Sequence, residues 1–129
     1  MELPAPSLDA LIVGKLTDEE RDKSVAYLDE QLRPAGQALI GEREYKQGVP
    51  YLVAFIDQQP GANWMHPCRY LLIDPASKTT TSINSDRPPR FGTLPPTWRV
   101  VWRSQNIEDW RLLPLSRPPS EEKKREDDL

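Results

Sequence analysis

The stretch of chain over residues 51–74 holds the two side chains best suited to chemistry through a nitrogen base or a thiol. His66 and Cys68 are the only histidine and the only cysteine, and they stand two positions apart. A cysteine thiolate becomes a nucleophile beside an imidazole, which a carboxylate or an amide then orients. Asn63 and Asp74 are the candidates for that orienting group. One interpretation is therefore a small hydrolase or transferase that uses His66 with Cys68 or with a carboxylate.

The spacing of the pair is unfavourable for this chemistry. Side chains two residues apart on an extended chain have Cα atoms about 6.5 to 7 Å apart, so contact requires a special loop geometry at Pro67. A lone cysteine at a strand start is more often a small buried hydrophobic residue, and a loop histidine more often bonds a backbone carbonyl. Asp57 and Asp74 could act as acid and base, but antiparallel strands would separate them. The balance favours a chain that is not an enzyme.

Motifs for cofactors and metals do not occur in the sequence. The six glycines form no phosphate-binding loop, no dinucleotide-binding Gly-x-Gly-x-x-Gly and no Gly-x-Ser-x-Gly hydrolase turn. A zinc site needs three or four cysteine and histidine ligands, and the chain has two such residues. We therefore expect no cofactor, no metal, and no dinucleotide or nucleoside triphosphate ligand.

Length and charge limit the kind of protein further. The 129 residues suit one domain, with 37% hydrophobic residues and a mean hydropathy of -0.67. The formal net charge is -3, whereas a nucleic acid or membrane partner would need a dense basic face. We expect a flexible lead over residues 1–6, one domain over residues 7–115 and a disordered charged tail over residues 116–129.

Targeting signals are missing from the sequence. No apolar stretch reaches the ~18 to 20 residues that span a bilayer, and the first ten residues have neither a charged nor an apolar region of a signal peptide. A single cysteine forms no intrachain disulfide, so the chain is not a disulfide-stapled secreted scaffold. The expected location is cytoplasmic, with no membrane partner.

The predicted elements begin with helices. Residues 7–15 favour a short helix, and Thr17 with Glu20 forms a capping box at the start of a second one. Val25, Leu28 and Leu32 recur at helical spacing beyond it, so we predict a long helix over residues 18–32.

The remaining elements are strands. A continuous apolar run over residues 49–57 predicts a central strand, and residues 68–74 and 79–84 predict a hairpin around a turn at residues 74–78. Residues 98–104 alternate, with Trp98, Val100 and Trp102 on one face. The predicted fold is a small single α+β domain, a three- to four-stranded mostly antiparallel sheet with one long helix packed on it.

Two loops carry the predicted binding surface. They are the loop over residues 59–68 and the proline-rich connection over residues 87–96, and a loop tryptophan is a natural interface anchor. We predict a non-enzymatic protein-binding module: an adaptor, an inhibitor, an immunity-type factor or a small subunit of a complex. The predicted binding residues are Asn63, Trp64, Met65, His66, Arg90 and Phe91.

A second alternative is a single-stranded nucleic-acid binder. Arginines at positions 87, 90, 99 and 103 lie among aromatic residues with no acid between them, and such side chains can stack on unpaired bases. The near-neutral charge of the rest of the chain favours the plainer interpretation, in which these arginines are the solvent side of a strand.

Overall fold

The folded body is mostly β-sheet. The computed structural model describes residues 7–40, 43–90 and 92–116. Five of its strands form one antiparallel sheet and two form a separate hairpin. The helices are α1 (Leu8–Lys15), α2 (Asp18–Lys23) and a 3-10 helix (Asp109–Arg111). The strands are β1 (Val25–Arg33), β2 (Gly36–Ile40), β3 (Arg43–Gln47), β4 (Tyr51–Asp57), β5 (Cys68–Ile73), β6 (Thr80–Ser85) and β7 (Trp98–Arg103).

The predicted fold, one long helix on a three- to four-stranded sheet, is wrong. The capping box exists, since the Thr17 hydroxyl accepts from Glu20 N and the Glu20 carboxylate accepts from Thr17 N. The helix nevertheless ends at Lys23, and β1 begins at Val25. The first five residues of β1 are all buried, which a strand in a sheet covered on both faces allows and a helix on a sheet does not.

The large sheet has the strand order β6-β5-β4-β1-β7. The prediction of a central apolar strand is confirmed, because β4 lies in the middle and is buried along its whole length. The predicted hairpin is confirmed as β5 and β6, which pair from Cys68 opposite Ser85 to Ile73 opposite Thr80. Asp74 begins its turn, and its carboxylate accepts from Ala76 N.

Each face of the sheet has its own hydrophobic core. One face packs against Ile12 and Leu16 from the N-terminal helical segment. The other packs against the β2–β3 hairpin through Ala38 and Ile40, and against later residues that include Leu94. The sequence analysis assigned no element to residues 36–47, so this hairpin is an addition to the predicted fold.

A bulge in β7 breaks the alternation expected for that strand. Tyr27 of β1 lies opposite Val100, but the next pair is Ala26 with Trp102, so Val101 is an extra residue. Trp98 and Val100 therefore pack on one face, whereas Trp102 packs against the core on the other. The prediction that all three share a face is wrong at Trp102.

The expected lead over residues 1–6 and residues 117–129 of the expected tail lie outside the described residues. Ser116, placed in the tail by the prediction, donates its hydroxyl to the Leu94 carbonyl at 2.7 Å. Among the described residues, no helix combines the length and the apolar character needed to cross a membrane.

Candidate functional site

The histidine of the loop between β4 and β5 contacts the last residue of β4. His66 Nε2 lies 2.8 Å from Asp57 Oδ1, and His66 Nδ1 lies 2.6 Å from the carbonyl oxygen of Asn63. The backbone N–H of His66 also donates to the carbonyl of Asp86 at 2.9 Å. His66 and Asp57 are 7% and 1% exposed, so the pair is closed off from solvent.

The two partners of the imidazole ring determine how many protons the pair holds. A carbonyl oxygen only accepts a hydrogen bond, so Nδ1 carries a proton that it donates to Asn63. The second contact then requires one proton between Nε2 and Asp57, on either atom. Burial raises the pKa of Asp57 above its usual value, although His66 and the Gln59 N–H oppose that shift. The pair is neutral as a whole and leaves neither ring nitrogen for a substrate.

Cys68 lies directly opposite Asp57 in the pairing of β4 with β5. Its side chain is buried in the core on the face of the β2–β3 hairpin, and its Sγ–H donates to the Arg87 carbonyl at 3.2 Å. Burial raises the pKa of the thiol to about 12. A thiol in this environment stays protonated at neutral pH, which is the opposite of what a cysteine nucleophile requires.

The predicted catalytic residues are only partly brought together. His66 and Cys68 lie at the same end of β4 and β5, and Asn63 contributes its backbone carbonyl to the histidine. Asp74 follows the opposite end of β5, where its carboxylate accepts from Ser77 Oγ at 2.8 Å. The antiparallel pairing therefore separates Asp57 from Asp74, as the sequence analysis expected.

An open groove lies beside the same loop on the hairpin side of the sheet. We name it the Trp64 groove after its loop residue, and its volume is about 270 Å³. Its apolar wall includes Leu39 from β2, which is 64% exposed, and Trp64, which is 36% exposed. Pro88 and Pro89 of the proline-rich connection also line the groove, as do the core residues Ile40, Val53, Tyr70 and Trp98.

Two arginines stand at the Trp64 groove. Arg33 and Arg87 both line it, and their side chains are 33% and 32% exposed. Arg33 pairs with Asp29 at 3.0 Å, and Arg87 pairs with Asp86 at 3.5 Å. The groove thus combines apolar walls with guanidinium groups that are partly open to solvent.

The predicted binding residues divide between this groove and other places. Trp64 lines the groove, and His66 is buried beneath the loop. Asn63, Met65 and Arg90 are exposed but do not line it. Phe91 lies outside the described residues.

Sequence analysis missed Leu39 and Arg33. Leu39 stands between Ala38 and Ile40 in the sequence. If the segment is a strand, its side chain faces the opposite side from theirs, so an apolar Leu39 indicates an exposed apolar position when the other two are buried. Arg33 follows directly after the predicted long helix of residues 18–32, and no local pattern relates it to Trp64.

A wider and more open depression lies on another side of the loop, with a volume of about 750 Å³. Trp110, 69% exposed, lies at this depression and donates from Nε1 to Glu108 at 2.9 Å. Gly61 also lines it and has a positive φ of 84°. Arg111 Nε donates to the Pro60 carbonyl at 3.0 Å, which fastens the loop to the C-terminal segment.

Two of the four arginines of the nucleic-acid alternative, Arg99 and Arg103, are already engaged with the protein. Arg99 forms two hydrogen bonds with the Asp9 carboxylate and an ion pair with Glu30 at 3.1 Å. Arg103 donates to the Ile107 carbonyl and pairs with Asp109 at 2.6 Å. Each guanidinium would have to exchange these partners for phosphates, so the geometry weighs against this alternative.

A second buried ion pair joins the helices to the sheet. Arg69 Nε and Nη2 donate to the two carboxylate oxygens of Glu20 at 3.0 and 2.6 Å. Gln58 and the Thr17 N–H donate to the same carboxylate. Burial alone would raise the pKa of Glu20, but these hydrogen bonds and the charge of Arg69 outweigh it and leave the pKa below its usual value of 4.5. Both carboxylate oxygens are bonded within the protein, which indicates a structural role.

No group of three or more histidine, cysteine, aspartate or glutamate side chains is arranged to hold a metal within residues 7–40, 43–90 and 92–116. Comparisons of the chain with protein-family models, with curated proteins and with solved structures find no match.

Proposed function

We propose that this chain is a non-enzymatic protein-binding module that receives an apolar and acidic segment of another protein in the Trp64 groove. The observation that carries the proposal is the exposure of Leu39 and Trp64, which both line an open groove. An adaptor, an inhibitor, an immunity-type factor and a small complex subunit would all use such a surface.

The first support is the arrangement of apolar groups. Leu39 projects from a strand whose neighbours Ala38 and Ile40 are buried, so its side chain stands on the solvent side of the hairpin. Trp64 and two prolines also contribute to the apolar wall. Proline and tryptophan present rigid apolar surfaces that lose little conformational entropy on binding, which is typical of interface anchors.

The second support is the charge at the groove. Arg33 and Arg87 each have an ion-pair partner within the protein, yet about a third of each side chain stays open to solvent. A bound segment with aspartate or glutamate beside its apolar residues would add carboxylates to these guanidinium groups. Such complementary charge speeds encounter and fixes the register of the bound segment.

The third support concerns the competing enzyme interpretation. Both ring nitrogens of His66 are bonded within the protein, and burial keeps Cys68 protonated. An exposed apolar groove beside a loop that buried hydrogen bonds hold in place is better suited to recognising another protein than to catalysing a reaction.

The test is selection of short peptides from a random display library on the folded chain, followed by titration of purified peptides. We expect selected sequences to combine apolar and acidic residues, and Leu39→Asp to weaken their binding by roughly tenfold or more. Trp64→Ala should weaken it similarly. Trp110→Ala is the matched control, because it removes a more exposed tryptophan outside the groove, and it should leave binding unchanged.

Two results would contradict the proposal. One is a selection that enriches no peptide family. The other is a family whose affinity is lost with Trp110→Ala and retained with Leu39→Asp, which would move the binding surface to the Trp110 depression.

A further inference from the structure

The outer strand β6 has none of the usual protection of a sheet edge. Within the part of the chain that the structure describes, β6 pairs only with β5, and the pairing runs through all six residues without a bulge. Its sequence, TTSINS, contains no charge and no proline. An edge strand of this kind presents a row of unpaired N–H and C=O groups, which natural proteins ordinarily interrupt with a lysine, a proline or a bulge.

The opposite edge of the same sheet shows that protection. β7 contains a bulge at Val101 and carries two arginines, Arg99 and Arg103. Helix α1 packs against it, and Asp9 of that helix binds Arg99. The difference between the two edges singles out β6 as an edge suited to receive another strand.

We propose that a second copy of this chain pairs with the outer edge of β6 in antiparallel orientation, around a two-fold axis at Ser82. In an antiparallel pair, residues that lie directly opposite each other point to the same face of the sheet. A two-fold axis perpendicular to the sheet therefore places one residue opposite the same residue of the partner subunit. With Ser82 on the axis, Thr81 lies opposite Ile83 of the partner subunit, and Thr80 lies opposite Asn84 of the partner subunit.

Charge complementarity selects this register over its neighbours. Lys78 and Asp86 flank β6, and each stands four positions from Ser82. Lys78 lies in the turn two residues before β6 with a φ of 63°, so its long side chain, not the strand pairing itself, extends toward Asp86 of the partner subunit when the two-fold is at Ser82. Symmetry repeats the contact at the other end of the strand. An axis at Thr81 or at Ile83 places each of these charges opposite an uncharged residue. Asp86 has a 63% exposed side chain, so it is accessible for the contact.

The surface around the strand leaves room for the partner. Thr81, Ser82 and Asn84 are exposed. A depression of about 410 Å³ lies beside Asn84 and Ser85, between the strand and Tyr45 of the hairpin. One pair of six-residue strands buries less than the ~1,200 Å² of a standard interface, so the dimer is weak and dissociates at low concentration. The paired strand lies outside the Trp64 groove and the inference does not rest on the proposed function, although Asp86 also pairs with the groove residue Arg87 at 3.5 Å.

The test is a pair of charge reversals, Lys78→Glu and Asp86→Lys, studied by sedimentation equilibrium over a range of concentrations. Each variant alone replaces two attractive contacts per dimer with two repulsive ones, and we expect its dissociation constant to rise roughly tenfold. An equal mixture of the two variants restores both attractive contacts in a heterodimer, so it should associate with the wild-type constant. Lys46→Glu, a reversal on β3 away from β6, is the matched control and should leave the constant unchanged.

The mixture separates loss of pairing from loss of folding, because two misfolded variants would not restore each other. A wild-type chain that stays monomeric up to its solubility limit overturns the proposal. Single variants that dimerise as tightly as wild type also overturn it, since the copies would then meet through another surface.

Discussion

His66 Nε2 lies 2.8 Å from Asp57 Oδ1, and both side chains are buried. The two residues are nine positions apart, and the loop between them contains Trp64. Because the imidazole also donates to the Asn63 carbonyl, the pair closes that loop onto the end of β4. His66, the candidate catalytic base, therefore holds the loop that carries Trp64 in place together with Asp57.

Removal of one partner of this pair should cost much stability. Asp57→Ala leaves a buried imidazole without its carboxylate, and we expect the free energy of unfolding to fall by about 3–5 kcal/mol. Asp109→Ala is the matched control: its carboxylate pairs with Arg103 but is 75% exposed, so its loss should cost at most about 1 kcal/mol. Urea unfolding followed by circular dichroism measures both. Equal losses would mean that the His66–Asp57 contact does not hold the fold.

How far the sequence predicts this fold depends on how local each signal is. The apolar run of β4, the turn at Asp74 and the capping box of Thr17 are local patterns, and all three are present in the structure. The same capping box misled the analysis about residues 25–32, where Val25 and Leu28 fit both a helix face and a strand buried on two sides. Burial on both faces depends on the layers that cover the sheet, the N-terminal helical segment on one face and the β2–β3 hairpin on the other, which no local pattern reveals.

The candidate site shows the same limit. Trp64 was identified because a loop tryptophan is conspicuous in a sequence. Its groove also needs Leu39, which lies on the β2–β3 hairpin, 25 positions before Trp64 in the sequence. Likewise Glu20 was recognised as a cap, whereas its partner Arg69 lies on β5 and could not be inferred from spacing. Groups that meet only through the tertiary fold were therefore missed.

The Glu20–Arg69 pair makes a prediction about acid. The pKa of Glu20 is lower in the folded protein than its usual value of 4.5, so its ionised form stabilises the fold. That contribution is present above the unfolded-state pKa and is lost as the pH falls through the folded-state pKa. We expect Glu20→Gln to lower the free energy of unfolding at neutral pH, and the difference from wild type to shrink steadily below a pH of about 4.5.

Urea titrations at a series of pH values measure that difference. Glu19→Gln is the matched control, because the Glu19 side chain is 79% exposed and makes only a 3.8 Å contact with Lys23. Its effect should stay small at every pH. A Glu20→Gln deficit that is the same at acidic and neutral pH would contradict the electrostatic role of the carboxylate.

The thiol of Cys68 should be inert while the protein is folded. Burial raises its pKa from the usual 9.0 to about 12, which lowers the thiolate fraction near neutral pH about a thousandfold. Iodoacetamide at mildly alkaline pH should therefore modify Cys68 only after unfolding in urea, as measured by mass spectrometry. Rapid modification of the native protein, slowed by His66→Ala, would instead support the cysteine-enzyme interpretation.

Two glycine-to-alanine substitutions should change stability in opposite directions. Gly61 has a φ of 84°, and a Cβ there would lie 2.9 Å from Arg111 Cγ and 3.1 Å from Trp110 Cζ3. Gly61→Ala should lower the free energy of unfolding by about 1–2 kcal/mol, because an alanine in this left-handed region is strained. Gly14 lies in α1, and a Cβ there would meet no neighbouring group within 4 Å, so Gly14→Ala should raise it by about 0.5 kcal/mol.

Thermal and urea unfolding of both variants provide the measurement, and each substitution serves as the control for the other. The added methyl group is the same, so the opposite signs report the two environments: a left-handed backbone with close neighbours at Gly61 and an open helical position at Gly14. A stabilising Gly61→Ala would mean that the loop takes up a right-handed conformation at this position, which would release the contact between Pro60 and Arg111 and free the loop that carries Trp64. A destabilising Gly14→Ala would contradict the helical assignment of the end of α1.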